Sequence, residues 1–329
     1  MRKFNPIRYF FVLLLLVACQ VVDAGSDAIT VSVTLSPTLS SVTVEATATI
    51  TPTPVISDVH PTPTVEVTPS STEEPFLCPN LYGLTESKAF SSEAIQEEVR
   101  YLVHLPPCYD IYETAALPVL YLFHGWPLDE QHWLSVGVDT LVDDWVTRGL
   151  IGPVIIVLPG VSRDGLYVNS SGGARSFEGM IVDELVPLVD QAYRTWRDPR
   201  GRAVGGISRG GVWALEIAMR HSDVFSIVGA HSPALALNHP VLKYDPFVLA
   251  KGDVSGLRFY LDAGDRDWAR ASTIRLRDVL QAAEVDVTYQ VHSGGHVDDL
   301  WQGALADYVM YYTLNWPASF GELPAYVNE

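Results

Sequence analysis

The chain has 329 residues and a formal net charge of −18, with 39 acidic against 21 basic side chains. That balance argues against nucleic acid as a partner, because phosphate recognition needs basic surface. With three cysteines, no CxxC pair and no histidine cluster beside them, no metal or organic cofactor is expected.

Residues 1–18 read as an export signal and not as part of the fold. Arg2, Lys3 and Arg8 form a positive start, and Phe10 to Val17 an apolar run too short to span a bilayer. The run ends at Leu16-Val17-Ala18-Cys19, which resembles the lipobox of bacterial lipoproteins. That resemblance implies cleavage before Cys19, a lipid on its thiol and attachment to a membrane outside the cytoplasm. Removing three positive charges moves the formal net charge from −18 to −21.

Residues 19–75 change character. From Ser26 to Pro75, 27 of 50 residues are Ser, Thr or Pro, with no aromatic side chain among them. Such a segment cannot bury enough apolar surface to offset its ordering entropy, and its Thr-Pro repeats favour an extended tether. Residues 76–329 then suit one α/β domain. Cys78 and Cys108, left over after Cys19 in an exported chain, are expected to form a disulfide.

Apolar runs mark strands at 99–105, 118–123, 154–158, 203–207, 227–230, 257–261 and 287–291. Helical spacing falls at 139–148, 177–195, after Ser208, at 268–283 and at 299–315. Continuous apolar strands alternating with helices predict a mostly parallel, doubly wound sheet covered on both faces. Functional groups should then gather at the carboxyl ends of the strands.

Three groups meet that condition. Gly206-Ile207-Ser208-Arg209-Gly210 fits G-x-S-x-G, a serine carried on a tight strand-to-helix turn. The strand at 257–261 runs into Asp262, Asp265 and Asp267, of which Asp267 is best placed past the turn to reach a histidine. The strand at 287–291 runs into His292-Ser293-Gly294-Gly295-His296, and the two glycines favour His296 as the base. A serine needs such a base, and the base an orienting acid, to become a nucleophile. Backbone N–H groups of Arg209 and of Trp126, after His124-Gly125, are the expected oxyanion donors.

These stretches, together with Pro118 to Gly125, Asp183 to Pro187 and Arg220 to Phe225, resemble the esterase D-type branch of the α/β-hydrolases. That branch includes feruloyl, acetyl xylan and enterochelin esterases and mycolyltransferases. The resemblance implies an α/β-hydrolase fold and carboxylic ester hydrolysis by Ser208, His296 and Asp267, without cofactor, on a small-molecule or carbohydrate ester. Cys108 stands where the family usually has glycine, and Arg209 where it often has an apolar residue. Trp133, Tyr167, Trp268 and Trp301 sit near the expected catalytic face and could stack on a sugar or an aromatic acyl group. Two other readings stay open: an acyltransferase that uses a sugar hydroxyl as acceptor, and a surface-binding lipoprotein without turnover.

Overall fold

The computed structural model describes residues 79–111, 113–167, 172–237 and 240–327. The export signal, Cys19, the tether and Cys78 all lie outside the described residues. Cys108 is disulfide-bonded.

The chain enters through two antiparallel strands, β1 (Leu84–Ser92) and β2 (Glu97–Leu105). After β3 (Val119–Phe123) come α1 (His132–Val136), α2 (Val138–Thr147), β4 (Ile155–Gly160) and α3 (Arg163–Tyr167). A short α4 (Phe177–Gly179) passes through the wide turn Met180–Leu185 into α5 (Val186–Ala192). Next come β5 (Arg202–Ile207), α6 (Arg209–Arg220), β6 (Ile227–His231) and α7 (Pro246–Leu249). The chain closes with β7 (Arg258–Gly264), α8 (Arg270–Ala282), β8 (Val287–His292) and α9 (Asp298–Thr313). The sheet order is β1-β2-β4-β3-β5-β6-β7-β8, parallel from β4 to β8 and antiparallel where β1 and β2 join.

The doubly wound expectation holds, with two differences. Strand β1 is missing from the sequence reading because its side chains, Leu84-Thr85-Glu86-Ser87-Lys88, face water at the sheet edge. It carries neither an apolar run nor clean alternation. The helix expected over 177–195 is also broken. Pro187 has no N–H to donate and its ring crowds the carbonyl four residues earlier. The backbone widens through Met180–Leu185 before a new helix starts.

Strands β3, β4, β5 and β6 are buried along their whole length. Two apolar layers cover them. One is centred on Phe123, Phe177, Trp213 and Phe225, the other on Trp133, Tyr308, Tyr312 and Trp316. Trp133 was a candidate substrate contact, and the structure corrects this. It is buried in the second layer, and its indole N–H donates to the Phe123 carbonyl at 3.0 Å.

One buried group strains this packing. Glu216, on the inner face of α6, is fully buried, and among the described residues neither carboxyl oxygen has a hydrogen-bond partner. Burial, reinforced by the neighbouring Glu178 carboxylate, pushes its pKa from 4.5 up to about 8. The folded chain keeps this proton after the unfolded chain has lost it, so stability falls as pH rises from 4.5 toward 8. Glu216→Gln is therefore expected to unfold at a higher temperature than the parent at pH 8 and at nearly the same temperature at pH 4. The gain should grow by at most about 1.4 kcal/mol per pH unit between them. Thermal unfolding at several pH values checks this, and an equal shift at every pH would contradict it.

Candidate active site

Ser208 sits between β5 and α6 with φ 55° and ψ −113°, a backbone turn that ordinary residues avoid. Glycine is required on both sides for lack of space. A Cβ on Gly206 would lie 2.3 Å from the Gly210 carbonyl carbon, and one on Gly210 would lie 2.5 Å from the Phe123 carbonyl oxygen. The turn is held by the Ser208 N–H, which donates to His231 O at 2.9 Å. The Ser208 carbonyl accepts from Ala234 N at 3.0 Å and Val212 N at 3.3 Å.

The three groups expected from sequence come together. The Ser208 hydroxyl lies 2.9 Å from His296 Nε2, and His296 Nδ1 lies 3.0 and 3.1 Å from the two Asp267 oxygens. With Nδ1–H donating to the carboxylate, Nε2 carries the lone pair that accepts from the hydroxyl. Burial pushes the Asp267 carboxyl up, but hydrogen bonds from His296 and from the Ala269 N–H (2.8 Å) help to hold it below its ordinary value. Asp267 is thus an anion at neutral pH, suited to orient the imidazole and to stabilise it once protonated.

Asp265 has a different place. Its Oδ1 accepts from Gly294 N at 2.9 Å, while Arg266 N donates to Gly294 O at 3.0 Å and Asp265 N to His292 O at 2.8 Å. These bonds tie the acid loop to the histidine loop. Asp262 pairs instead with His231 Nδ1 at 2.9 Å, both groups fully buried. Tyr308 donates to the other Asp262 oxygen at 2.7 Å, and the Tyr312 hydroxyl lies 2.8 Å from His231 Nε2.

The loop after β3 passes close to the serine. The nearest neighbour to a Cβ built on Gly125 would be Ser208 Cβ, at 3.3 Å. Burial lowers the His124 pKa and keeps the ring neutral. Its Nδ1–H donates to Gly125 O at 3.0 Å and its Nε2 accepts from Val161 N at 3.3 Å. Gly125 O also accepts from Leu128 N at 2.9 Å. The Trp126 N–H, next in line, makes no hydrogen bond among the described residues. Arg209 supplies the first N–H of α6, a position with no acceptor in its own helix.

Beside Ser208 lies a cavity of about 560 Å³, walled by Trp126, Leu128, His132, Val297, Asp298 and Trp301. Trp301 therefore reaches the site, edge-to-face with His296 at 5.2 Å between ring centres. Trp268 lies against the His296 ring at 4.4 Å between ring centres and is 45% exposed. Tyr167 does not line this cavity; its ring covers the Arg209 guanidinium, 4.9 Å away. Arg209 is buried between Tyr167 and Trp213 and donates to Leu166 O, so its side chain anchors α3. His132, Leu128 and Val297 were not anticipated. His132 is a neutral buried imidazole 3.2 Å from Asp298 Oδ1, its pKa lowered by burial. No local pattern around it in the sequence marks it out.

A family model describing esterases matches residues 92–312. The chain belongs to the Esterase family. An endo-1,4-beta-xylanase/feruloyl esterase of Xylanibacter ruminicola is 32% identical over 155 residues, 45% of this chain and 21% of that protein. Esterase Rv1288 of Mycobacterium tuberculosis is 35% identical over 135 residues, 39% of this chain and 28% of that protein. This family member thus spans less than a third of either curated relative. Among solved structures, a ferulic acid esterase superposes with a TM-score of 0.65 at 24% identity, covering 71% of this chain and 99% of the other. An S-formylglutathione hydrolase from Staphylococcus aureus gives 0.60 at 16% identity, covering 70% and 99%. The family member has the α/β-hydrolase fold.

The Asp265 contacts separate two kinds of carboxylate. Asp267→Asn should lower kcat by roughly 10⁴, the loss typical when the orienting anion of such an array is neutralised. Asp265→Asn, whose carboxylate meets the Gly294 N–H and the Arg266 side chain but not His296, should cost less than about tenfold. Kinetics of the two variants on one ester check the ranking; equal losses would contradict it.

Proposed function

We propose that this chain is a serine carboxylesterase working outside the cytoplasm on esters with a feruloyl-type or sugar-linked group. The observation that carries the reading is the continuous contact from Ser208 Oγ through His296 to the Asp267 carboxylate. In this reading His296 Nε2 takes the hydroxyl proton as Ser208 attacks the ester carbonyl. The negative oxygen that forms faces the Arg209 and Trp126 N–H groups, and each such donor is typically worth about 3–4 kcal/mol in the transition state. His296 then gives its proton to the leaving alcohol, and an acyl-Ser208 ester remains. Water then gives up a proton to His296 as its oxygen bonds the acyl carbon, and the Ser208–acyl bond breaks as His296 returns that proton to Ser208 Oγ, releasing the acid.

The His296 side chain is 16% exposed, so water can approach the base. This supports hydrolysis over transfer to a sugar. The leader sequence and Cys19 support export and lipid anchoring. For the acyl group, the apolar cavity walls Leu128, Val297 and Trp301 suit a flat or aliphatic chain. The names of the xylanase/feruloyl esterase relative and the ferulic acid esterase neighbour point the same way.

The test is a panel of acetyl, butyryl and feruloyl esters given to the parent and to Ser208→Ala. The parent should cleave them and label with a fluorophosphonate. Ser208→Ala should lose labelling and at least about 10³ of the rate. Parent-like hydrolysis by Ser208→Ala would sink the mechanism.

A further inference from the structure

Strand β1 closes one end of the sheet and pairs with β2 alone. Half the backbone N–H and C=O groups of such a strand point away from its neighbour, a template for one more strand. Most of β1 is exposed, and among the described residues no backbone hydrogen bond reaches it from outside the β1–β2 ladder. A lysine in the middle of an edge usually deters further pairing. Lys88 has a counterpart, however. Glu86 stands two residues before it on the same face, and Lys88 Nζ lies 3.1 Å from that carboxylate. The strand reads Leu84-Thr85-Glu86-Ser87-Lys88-Ala89-Phe90. About Ser87 this stretch is symmetric in character. Leu84 mirrors Phe90, Thr85 mirrors Ala89, and Glu86 mirrors Lys88 with the charge reversed.

We propose that β1 is the contact between two copies of this chain, which join antiparallel about a two-fold axis at Ser87 and continue the sheet across the pair. A two-fold contact sets residue i against residue j and j against i. Centred on Ser87, it sets Glu86 of each copy opposite the partner's Lys88, so two opposite-charge pairs form at once. Leu84, 57% exposed in one copy, meets the partner's Phe90, a ring already packed edge-to-face on Tyr101 with centres 5.9 Å apart. On the other face Thr85, Ser87 and Ala89 are too small to hold the strands apart. Opposite charges across a strand pair stabilise it and like charges destabilise it, so the same two residues select the register. Moving the axis to Glu86 would set that carboxylate against its own copy, and moving it to Lys88 would do the same to the amine. A two-fold keeps every side chain on its own sheet face, so those are the nearest alternatives. Glu86 is also held in place, since the Tyr193 hydroxyl donates to it at 2.6 Å. A formal net charge of −18 opposes association in general, and only a self-complementary patch overcomes it. Strand β5, which leads into Ser208, lies four strands from β1, so the contact leaves the site of each copy open.

The experiment is sedimentation equilibrium on the full chain. The parent should show a monomer–dimer equilibrium with a Kd below about 100 μM, in keeping with a small contact. Lys88→Glu and Glu86→Lys should each weaken association by roughly tenfold or more, because each creates two like-charge pairs. Mixing the two variants should restore dimers, since every cross-strand pair is then opposite in charge. Both side chains are partly exposed, and recovery on mixing shows that both variants are folded. A second readout fixes the register. Ser87→Cys should cross-link to its own copy on mild oxidation, whereas Ser91→Cys, also exposed, should not. In the proposed pair the two copies of residue 91 stand roughly 27 Å apart, too far for a disulfide. A parent that stays monomeric at that concentration would overturn the proposal. So would a dimer indifferent to the single variants, no recovery on mixing, or equal cross-linking at 87 and 91. None of these outcomes touches the esterase reading.

Discussion

The site depends on one backbone constraint, the positive φ of Ser208. A non-glycine residue held there costs on the order of 1–3 kcal/mol, and it persists only where its surroundings leave no alternative. Here the surroundings are the ends of β3, β5 and β6. Gly206 and Gly210 let α6 and the end of β3 close on the turn, and the His231 carbonyl takes the Ser208 N–H. His231 is itself fixed. Asp262 and Tyr312 hold its two ring nitrogens, and Tyr308 stacks on its face with ring centres 3.7 Å apart. A buried charged or polar pair is costly unless every member is satisfied, and this one is satisfied from three elements. Its position, directly behind the strained turn, gives the expense a physical reason. It holds in one register the strand ends that carry Ser208 and Asp267.

The remaining groups are aligned by a different device, loops bonded to loops. Asp265 and Arg266 grip Gly294 from both sides, so His296 is carried at a fixed distance from Asp267 although it follows two glycines. Neutral His124 does the same for the loop at Gly125, bonding its carbonyl with one nitrogen and the Val161 N–H with the other. An imidazole can serve both ends only while uncharged, and burial keeps it so.

How much of this is legible in the sequence follows from the range of each cause. The turn at Ser208 is local, so five residues and an apolar strand before them reveal it. Asp267 and His296 are remote from Ser208 in sequence, but each follows a parallel strand, and position past the turn singles them out among their neighbours. Trp133 shows where such reasoning fails. It lies a few residues past the loop that holds Trp126, yet it turns into the core while Trp126 faces solvent. Nothing within a few residues distinguishes the two, because the difference is set by α9 and β6 packing from more than 90 residues away. His132 and Val297 are hidden for the same reason. The edge strand β1 is hidden because half-exposed polar residues carry no periodic signal, and the break after Phe177 because the apolar spacing runs on through Pro187.

Trp126 ties these threads together. Its N–H makes no hydrogen bond among the described residues, and Trp126 lines both the cavity at Ser208 and the neighbouring one bounded by Glu97, Arg100 and Arg163. A residue that offers a backbone donor for the reaction can change its side chain without losing that donor. On the proposed esterase reading, chemistry and substrate choice are therefore separable at this position. The fixed parts of the site, the turn, the imidazole and the carboxylate, set what bond is broken. On the proposed esterase reading, the loop side chains from Trp126 to Leu128 govern which ester can place that bond within 3 Å or so of the serine. A family that keeps the first set and varies the second can serve many esters on one scaffold.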